Sequence, residues 1–332
     1  MTARSLLVIV AVVAALSVVP LVVTSNVTLN FLVVALMIAL VGQGWNVLGG
    51  YGGQYSFGHA AFFGTGAYTT AILQTQYGFN AWIAFTAGIA AGALIGILIG
   101  VLAFRSGLKG SYFALLTLAF AEVLRIAASV APITGAGVGL LIKLDMRPQA
   151  FQFVSRATFY WVALALVAIS LLTTQIIAQS RFGAWLVAVR ENEDAARALG
   201  VDAFSVKLIA IAVSASMAAA GGGFYAQYFL YVDAGIAYGT WISIEALLAP
   251  IIGGVGTVFG PLLGALVVKA IGEISKLVAG DAPGLDLVIY GAVLVLVVGL
   301  APRGLMGLLA VLRMLLIPSR HGPDLTVKAA NG

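Results

Sequence analysis

Long apolar runs alternate with short polar connections along almost the whole of this chain. A helix crossing about 30 Å of hydrocarbon needs about 20 apolar residues, because each residue rises only about 1.5 Å. Residues 6–23, 29–48, 81–104, 112–130, 159–178, 208–232 and 285–300 meet or approach that length. Two further stretches, 49–73 and 242–271, are apolar but crowded with helix-weakening residues. The second is interrupted at Pro250, Gly253, Gly254, Gly256 and Gly260-Pro261, which predicts two half-helices that enter and return. Gly221-Gly222-Gly223 predicts a weak point inside 208–232. By contrast, Gly88, Gly92, Gly96 and Gly100 recur every fourth residue, so they line one helix face and permit close approach of a neighbour. Residues 305–317 read as an interfacial helix, and the tail 319–332 is polar enough to be disordered. The expectation is an all-α polytopic membrane protein with about 8–10 transmembrane or half-membrane helices. They form one transmembrane domain, 1–318.

Composition sharpens that class. The chain is 62% hydrophobic and 9% charged, against roughly 25% charged for a soluble domain. Mean hydropathy is +1.09, and a soluble globule of this composition could not cover itself with polar surface. Arg4 precedes the first apolar run, which is too long for a signal-peptide core and reads as an uncleaved span. There are no cysteines, which excludes disulfides, thiol catalysis and Cys-built metal sites. His59 and His321 are far apart, so no metal site is expected.

The net charge of +5 is read as membrane topology, since no basic cluster outside the loops suggests nucleic acid. If the N-terminus is cytoplasmic and the six segments up to Ala178 each cross once, residues 181–207 are cytoplasmic. A return within 242–271 places the C-terminus there too. Arg4, Arg105, Lys109, Arg181, Arg190, Arg197, Lys207, Arg303, Arg313, Arg320 and Lys328 then fall inside. Lys143, Arg147, Arg156, Lys269 and Lys276 fall outside, with Arg125 in a span. That bias agrees with the positive-inside rule.

Residues 181–207 concentrate eight charged residues in a chain with 17 basic and 12 acidic ones. Phe182, Trp185, Leu186 and Val189 recur at helical spacing as an apolar stripe. Asn192 suits an N-cap and Gly200 a helix stop, and Glu193 and Arg197 pair at i, i+4. Asp202 can cap the next span. Two short helices lying across one membrane face are expected, as a docking surface or as a merely solvated loop.

Other polar groups sit within apolar sequence. Gln54, Ser56 and His59 follow the glycines at 49–53, where they could line a watery cavity or simply be satisfied inside close helix packing. Glu122 and Arg125, at i, i+3 within a span, can pair and are expected to face the bundle interior, as a structural pair or in contact with a zwitterion or proton. Glu245 is expected near the membrane interface, and Trp45, Trp82, Trp161 and Trp241 as interface anchors. The glycine pattern at 49–64 also resembles that at 253–264, which suggests an internal repeat, a common feature of transporters.

Four blocks carry a family resemblance. Glu191-Asn192-Glu193-Asp194-Ala195-Ala196-Arg197-Ala198-Leu199-Gly200 is similar to the "EAA" coupling loop of ABC importer permeases. Together with 51–62 (YGGQYSFGHAAF), 112–120 (YFALLTLAF) and 253–261 (GGVGTVFGP), it resembles the LivM branch of the branched-chain amino acid permeases, in family order. The resemblance implies a fold like type II ABC importers and a transport subunit in the bacterial inner membrane. It also implies that Arg190, Glu191, Glu193, Asp194, Ala195, Ala196 and Gly200 couple to an ATPase. Its partners would be a homologous LivH-like permease, two cytoplasmic LivG/LivF-like ATPases that hold the ATP and Mg, and a substrate-binding protein. No cofactor or catalytic residue is expected here, consistent with the missing Gly-x-x-x-x-Gly-Lys-Ser/Thr phosphate loop. Gln54, Ser56, His59, Glu122, Arg125 and Glu245 are the candidates for the path. Permeases for urea or short amides are the alternative in class, and a proton-coupled transporter using Glu122 or Glu245 is the alternative outside it.

Overall fold

The computed structural model describes residues 3–279, 285–300 and 304–308. The helices are α1 (Ala3–Ser17), α2 (Val19–Val22), α3 (Asn26–Trp45), α4 (His59–Thr75), α5 (Ala81–Arg105), α6 (Ser111–Val130) and α7 (Arg156–Ala178). They continue as α8 (Arg181–Glu191), α9 (Glu193–Ala198), α10 (Ala203–Phe229), α11 (Ala234–Ala237), α12 (Thr240–Gly253), α13 (Gly260–Ala279) and α14 (Leu285–Leu300). A two-residue ribbon, β1 (Leu140–Leu141) with β2 (Tyr231–Val232), pairs antiparallel. Among the described residues seven helical stretches are long and apolar enough to cross a membrane: Arg4–Val22, Asn26–Tyr51, Ala81–Arg105, Ser111–Val130, Arg156–Ala178, Ala203–Phe229 and Ala234–Gly253. The 17-residue α4 and the 20-residue α13 run alongside them. This is an all-α polytopic membrane protein. The expected interfacial helix at 305–317 is described only at 304–308, which is helical, and the tail lies outside the described residues.

Helix starts follow from capping chemistry. Ser25, Asn80, Ser155, Ser180, Asn192 and Asp202 each accept a backbone N–H from the first turn of α3, α5, α7, α8, α9 and α10. Asn192 takes two, from Asp194 and Ala195, which explains why one residue suffices to separate α8 from α9. Each cap is worth about 1 kcal/mol.

The core is α10 with α3, α4 and α5 packed around it. Here glycine decides the spacing. A Cβ on Gly92 would stand 2.2 Å from Ala219 Cβ, one on Gly96 2.5 Å from Ala215 Cβ, and one on Gly100 2.8 Å from Ile211 Cγ2. Gly92, Gly96 and Gly100 on α5 are therefore the seat of α10, while Gly88 faces α4, where a Cβ would lie 2.6 Å from Thr70 Oγ1. The expected weak point at Gly221-Gly222-Gly223 does not break α10, which is continuous over 27 residues. A Cβ on Gly222 would lie 1.9 Å from the Phe63 carbonyl oxygen, so contact with α4 accounts for glycine there. Each interior glycine costs about 1 kcal/mol of helix propensity, and packing away from water offsets it.

The helix ends define two faces. One gathers residues 46–58, the turn after α5, α8, α9 and the 254–259 break. The other gathers 76–80, 131–155 and 230–239, joined by bonds such as Trp82 Nε1 to Pro148 O, 2.8 Å, and Gln76 Nε2 to Ile133 O, 2.6 Å. The interruption expected within 242–271 is real, since α12 ends at Gly253 and α13 begins at Gly260, but the expected half-helices are not: Ala234–Gly253 is long enough to cross and α13 runs 20 residues to Ala279. The two helices then pack side by side. Trp82 and Trp161 sit at helix ends, the latter donating to Ser17 O at 3.1 Å. Trp45 is no interface anchor. It is fully buried, with Nε1 donating to Ser56 O at 2.8 Å, because the chain folds back over it after the π-helical turn Asn46–Tyr51.

Candidate functional site

On the first face α8 and α9 lie as two short helices, with Gly200 at φ +88° ending the second. The expected apolar stripe divides. Leu186 and Val189 are buried against the bundle, while Trp185 is exposed and Phe182 half-buried. Phe182 and Trp185, with Leu199, Val201 and Ile209, line a groove of about 400 Å³ beside Gly200. Arg190, Glu191, Asp194, Ala195 and Gly200 are exposed on this surface, whereas Glu193 and Ala196 face inward.

Glu193 holds the surface to the bundle. It is 8% exposed and meets three cations: Lys207 Nζ at 2.9 Å, Arg197 Nη2 at 2.6 Å and Lys109 Nζ at 3.3 Å. Lys207, on α10, is 2% exposed and stands 4.9 Å from the Phe104 ring centroid. Burial alone pushes the Glu193 carboxyl up, but the hydrogen bonds and charges of Lys207 and Lys109 outweigh it and hold the group below its usual value. One carboxylate thus ties α9 to α10, to its own helix and to the turn before α6. Lys109 and Lys207 were not singled out as functional from sequence. The available signal was a lysine at the entry to an apolar span, which requires a partner.

Arg190 makes a second link. Its Nη1 donates to Gly50 O at 2.8 Å, and its Nε and Nη2 fork onto Glu191 Oε1 at 3.0 and 2.6 Å. Beneath it Gly53 has φ +67°, and a Cβ there would lie 2.5 Å from Arg190 Cγ, so glycine is required on both counts. The 46–53 segment is in turn joined to the 254–259 break. Asn46 Oδ1 accepts from Gly256 N at 2.8 Å, Asn46 Nδ2 donates to Thr257 O at 2.9 Å, and Gln43 Nε2 donates to Val258 O at 2.6 Å. The two similar glycine blocks therefore meet, each between two long helices, and α8 touches their junction. Asn46 and Gln43 were missed from sequence, although two amides i, i+3 beside Gly49-Gly50 in an apolar helix were visible.

The membrane-depth candidates separate. Ser56 and His59 are buried, and His59 Nε2 lies 2.9 Å from Ser214 Oγ. Gln54 is buried and donates to Gly52 O at 3.2 Å. Of the three, Ser56 meets Trp45 through its carbonyl, Gln54 bonds within its own loop and His59 ties α4 to α10, while Tyr55 and Phe57 turn outward. Glu245 is not interfacial. It lies midway along α12 and binds Lys269 Nζ at 2.7 Å, both largely buried, with Trp241 5.7 Å from the ammonium. Lys269 is thereby an intrahelical cation within α13 and not a residue of the far loop. Glu122 and Arg125 do pair, at 2.6 and 2.9 Å, but they face away from this chain's interior. Their side chains are 47% and 35% exposed, against 14% and 19% for Glu245 and Lys269. The buried side of α6 is taken by small or aromatic packing at Phe113, Ala114, Thr117, Ala121 and Ala128, which rotates the charges outward.

Residues 27–298 match the model of the family described as branched-chain amino acid transport system / permease component. The chain is 28% identical over 305 residues to the high-affinity branched-chain amino acid transport system permease protein LivM of Escherichia coli, covering 84% of this chain and 70% of that one. It is 29% identical over 295 residues to the protein of the same name from Salmonella typhimurium, covering 80% and 67%. A probable branched-chain amino acid transport permease protein LivM from Methanocaldococcus jannaschii is 26% identical over 64% of this chain and 65% of its own length. No solved structure matches. With a family match running from α3 into α14, this chain belongs to the branched-chain amino acid transport system permease family.

Proposed function

We propose that the chain is the membrane-spanning permease subunit of an ATP-driven importer of branched-chain amino acids. It forms half of the translocation path beside a homologous permease. The observation that carries this reading is the junction of α8 with both helix breaks through Arg190, in a chain of this family. The α8–α9 surface with its apolar groove suits a soluble ATPase on the cytoplasmic side of the inner membrane. Movement of the ATPase pair would reach the 46–53 and 254–259 segments through Arg190, and α10 through Glu193 and Lys207. Rigid-body shifts of packed helices around a central path would follow. The opposite face carries a polar cleft of about 550 Å³ lined in part by Asn80, Lys143, Asp145, Arg147 and Gln152, suited to a substrate-binding protein. Hydrolysis belongs to the ATPases, and this chain supplies the path.

The test is co-expression with two ATPase subunits, a second permease and a binding protein, followed by reconstitution into liposomes. Radiolabelled leucine, isoleucine or valine should accumulate only with ATP inside the ATPase compartment. Accumulation driven by a proton gradient without ATP would overturn the reading, and uptake of urea in preference to leucine would reassign the substrate.

A further inference from the structure

Glu122 is the twelfth residue of the 20-residue α6, about 16 Å from its first residue at 1.5 Å per residue. Glu122 is therefore near the middle of the span, with Arg125 about one turn closer to its far end, and the pair is turned out of this chain. A charged pair facing lipid there is expensive, and such groups instead face protein or a watery path. Around the pair the outer side of α6 is a line of exposed residues, Tyr112, Leu115, Ala119, Val123, Ile126 and Val130. Ala119, one turn before Glu122, is the small member of that line and leaves a notch beside the carboxylate.

We propose that Glu122 and Arg125 are the headgroup site for an α-amino acid zwitterion in transit. Glu122 receives the ammonium, Arg125 receives the carboxylate, and the aliphatic side chain lies in the notch over Ala119 between Leu115 and Val123. The inference rests on the reading of the chain as an amino acid permease. At rest the two side chains close on each other as a two-pronged pair. An incoming zwitterion carries the same two charges, so each protein group trades one ionic partner for another and neither is left bare. That exchange leaves binding weak, as a path requires, because a substrate that must leave again cannot be held tightly. The enclosed Glu245–Lys269 pair has no such access, being packed between α12 and α13.

The experiment uses the whole reconstituted importer with E122Q, R125Q and the charge-exchanged double variant E122R/R125E. Each single variant should lower leucine uptake at least about tenfold, while binding-protein docking and its stimulation of ATP hydrolysis persist. The exchanged pair preserves an ion pair on α6 but misplaces the side-chain notch, so its uptake should stay low. Parental uptake by the exchanged variant, or by either single variant, overturns the proposal and leaves the pair a structural or permease–permease contact. If the single variants fail to insert, binding of radiolabelled leucine to the unaltered permease pair decides. Norleucine should displace it, and leucinamide and 4-methylpentanoate, each lacking one charge, should not. Equal displacement by all three overturns the proposal. Should the parent importer itself move no branched-chain amino acid, the permease reading fails first, independently of these variants.

Discussion

A carboxylate with three cations behaves differently from a carboxylate with one, and Glu193 shows why at the scale of single residues. Replacing it with Gln strands Lys207, whose 2% exposure leaves it no water, and removing one partner of a buried pair costs about 3–5 kcal/mol. Lys207→Met should cost clearly less, because Glu193 keeps Arg197 and Lys109. Thermal unfolding of the two purified variants, followed by fluorescence-detected gel filtration, checks the order. The pH response has a definite sign. The folded-state pKa of Glu193 lies below its ordinary 4.5, so its stabilisation is complete above that value. It is lost as pH falls through the depressed folded value. In an acid titration of thermal stability, the drop below about pH 4.5 should be larger for the parent than for E193Q. The Glu245–Lys269 pair offers a second check: E245Q or K269M alone should destabilise by about 3–5 kcal/mol, and the double variant by much less. Equal losses in all three would mean that the pair is not the source.

At the scale of elements, glycine and the helix breaks do the organising. Gly92→Ala places a methyl 2.2 Å from Ala219 Cβ, an overpacking that costs about 1–3 kcal/mol. Adding Ala219→Gly should recover most of it, as measured by heat resistance in detergent. The α5 glycine stripe was legible because a period of four is a property of the chain itself. Gly221-Gly222-Gly223 was misleading for a matching reason. Glycine in sequence signals either a break or a close approach, and only the position of Phe63 decides between them. The α8 link makes a functional prediction. Arg190→Ala should leave α8 folded, since Ser180 caps it and Leu186 and Val189 bury it. In the reconstituted importer it should raise ATP hydrolysed per leucine transported. An unchanged ratio would remove Arg190 from the transmission route.

For the whole molecule, the chain's lack of cysteine makes sidedness directly measurable. Single cysteines at Leu108 and Gln149 lie on opposite faces, beside Lys109–Glu193 and beside the Trp82–Pro148 contact respectively. An impermeant maleimide applied to intact spheroplasts should label position 149 and spare 108. Labelling of both from the same side would overturn the proposed topology and with it the proposed cytoplasmic docking face.

Sequence by itself determined the class, six of the seven spans, the glycine seam, the caps at Asn192 and Asp202, and the break between Gly253 and Gly260. Each of these is a local or periodic property, set by hydropathy, spacing or backbone chemistry within a few residues. Only the tertiary structure decided which way polar groups point. Glu122 and Arg125 share a helix face that sequence could identify but not orient. The rotation of α6 is fixed by what α4 and α11 take from its other side. Likewise Glu245 found Lys269 24 residues away, and Asn46 found Gly256 across 210. Those pairings depend on how helices stack, and helix stacking is a property of the assembled bundle that no single span encodes.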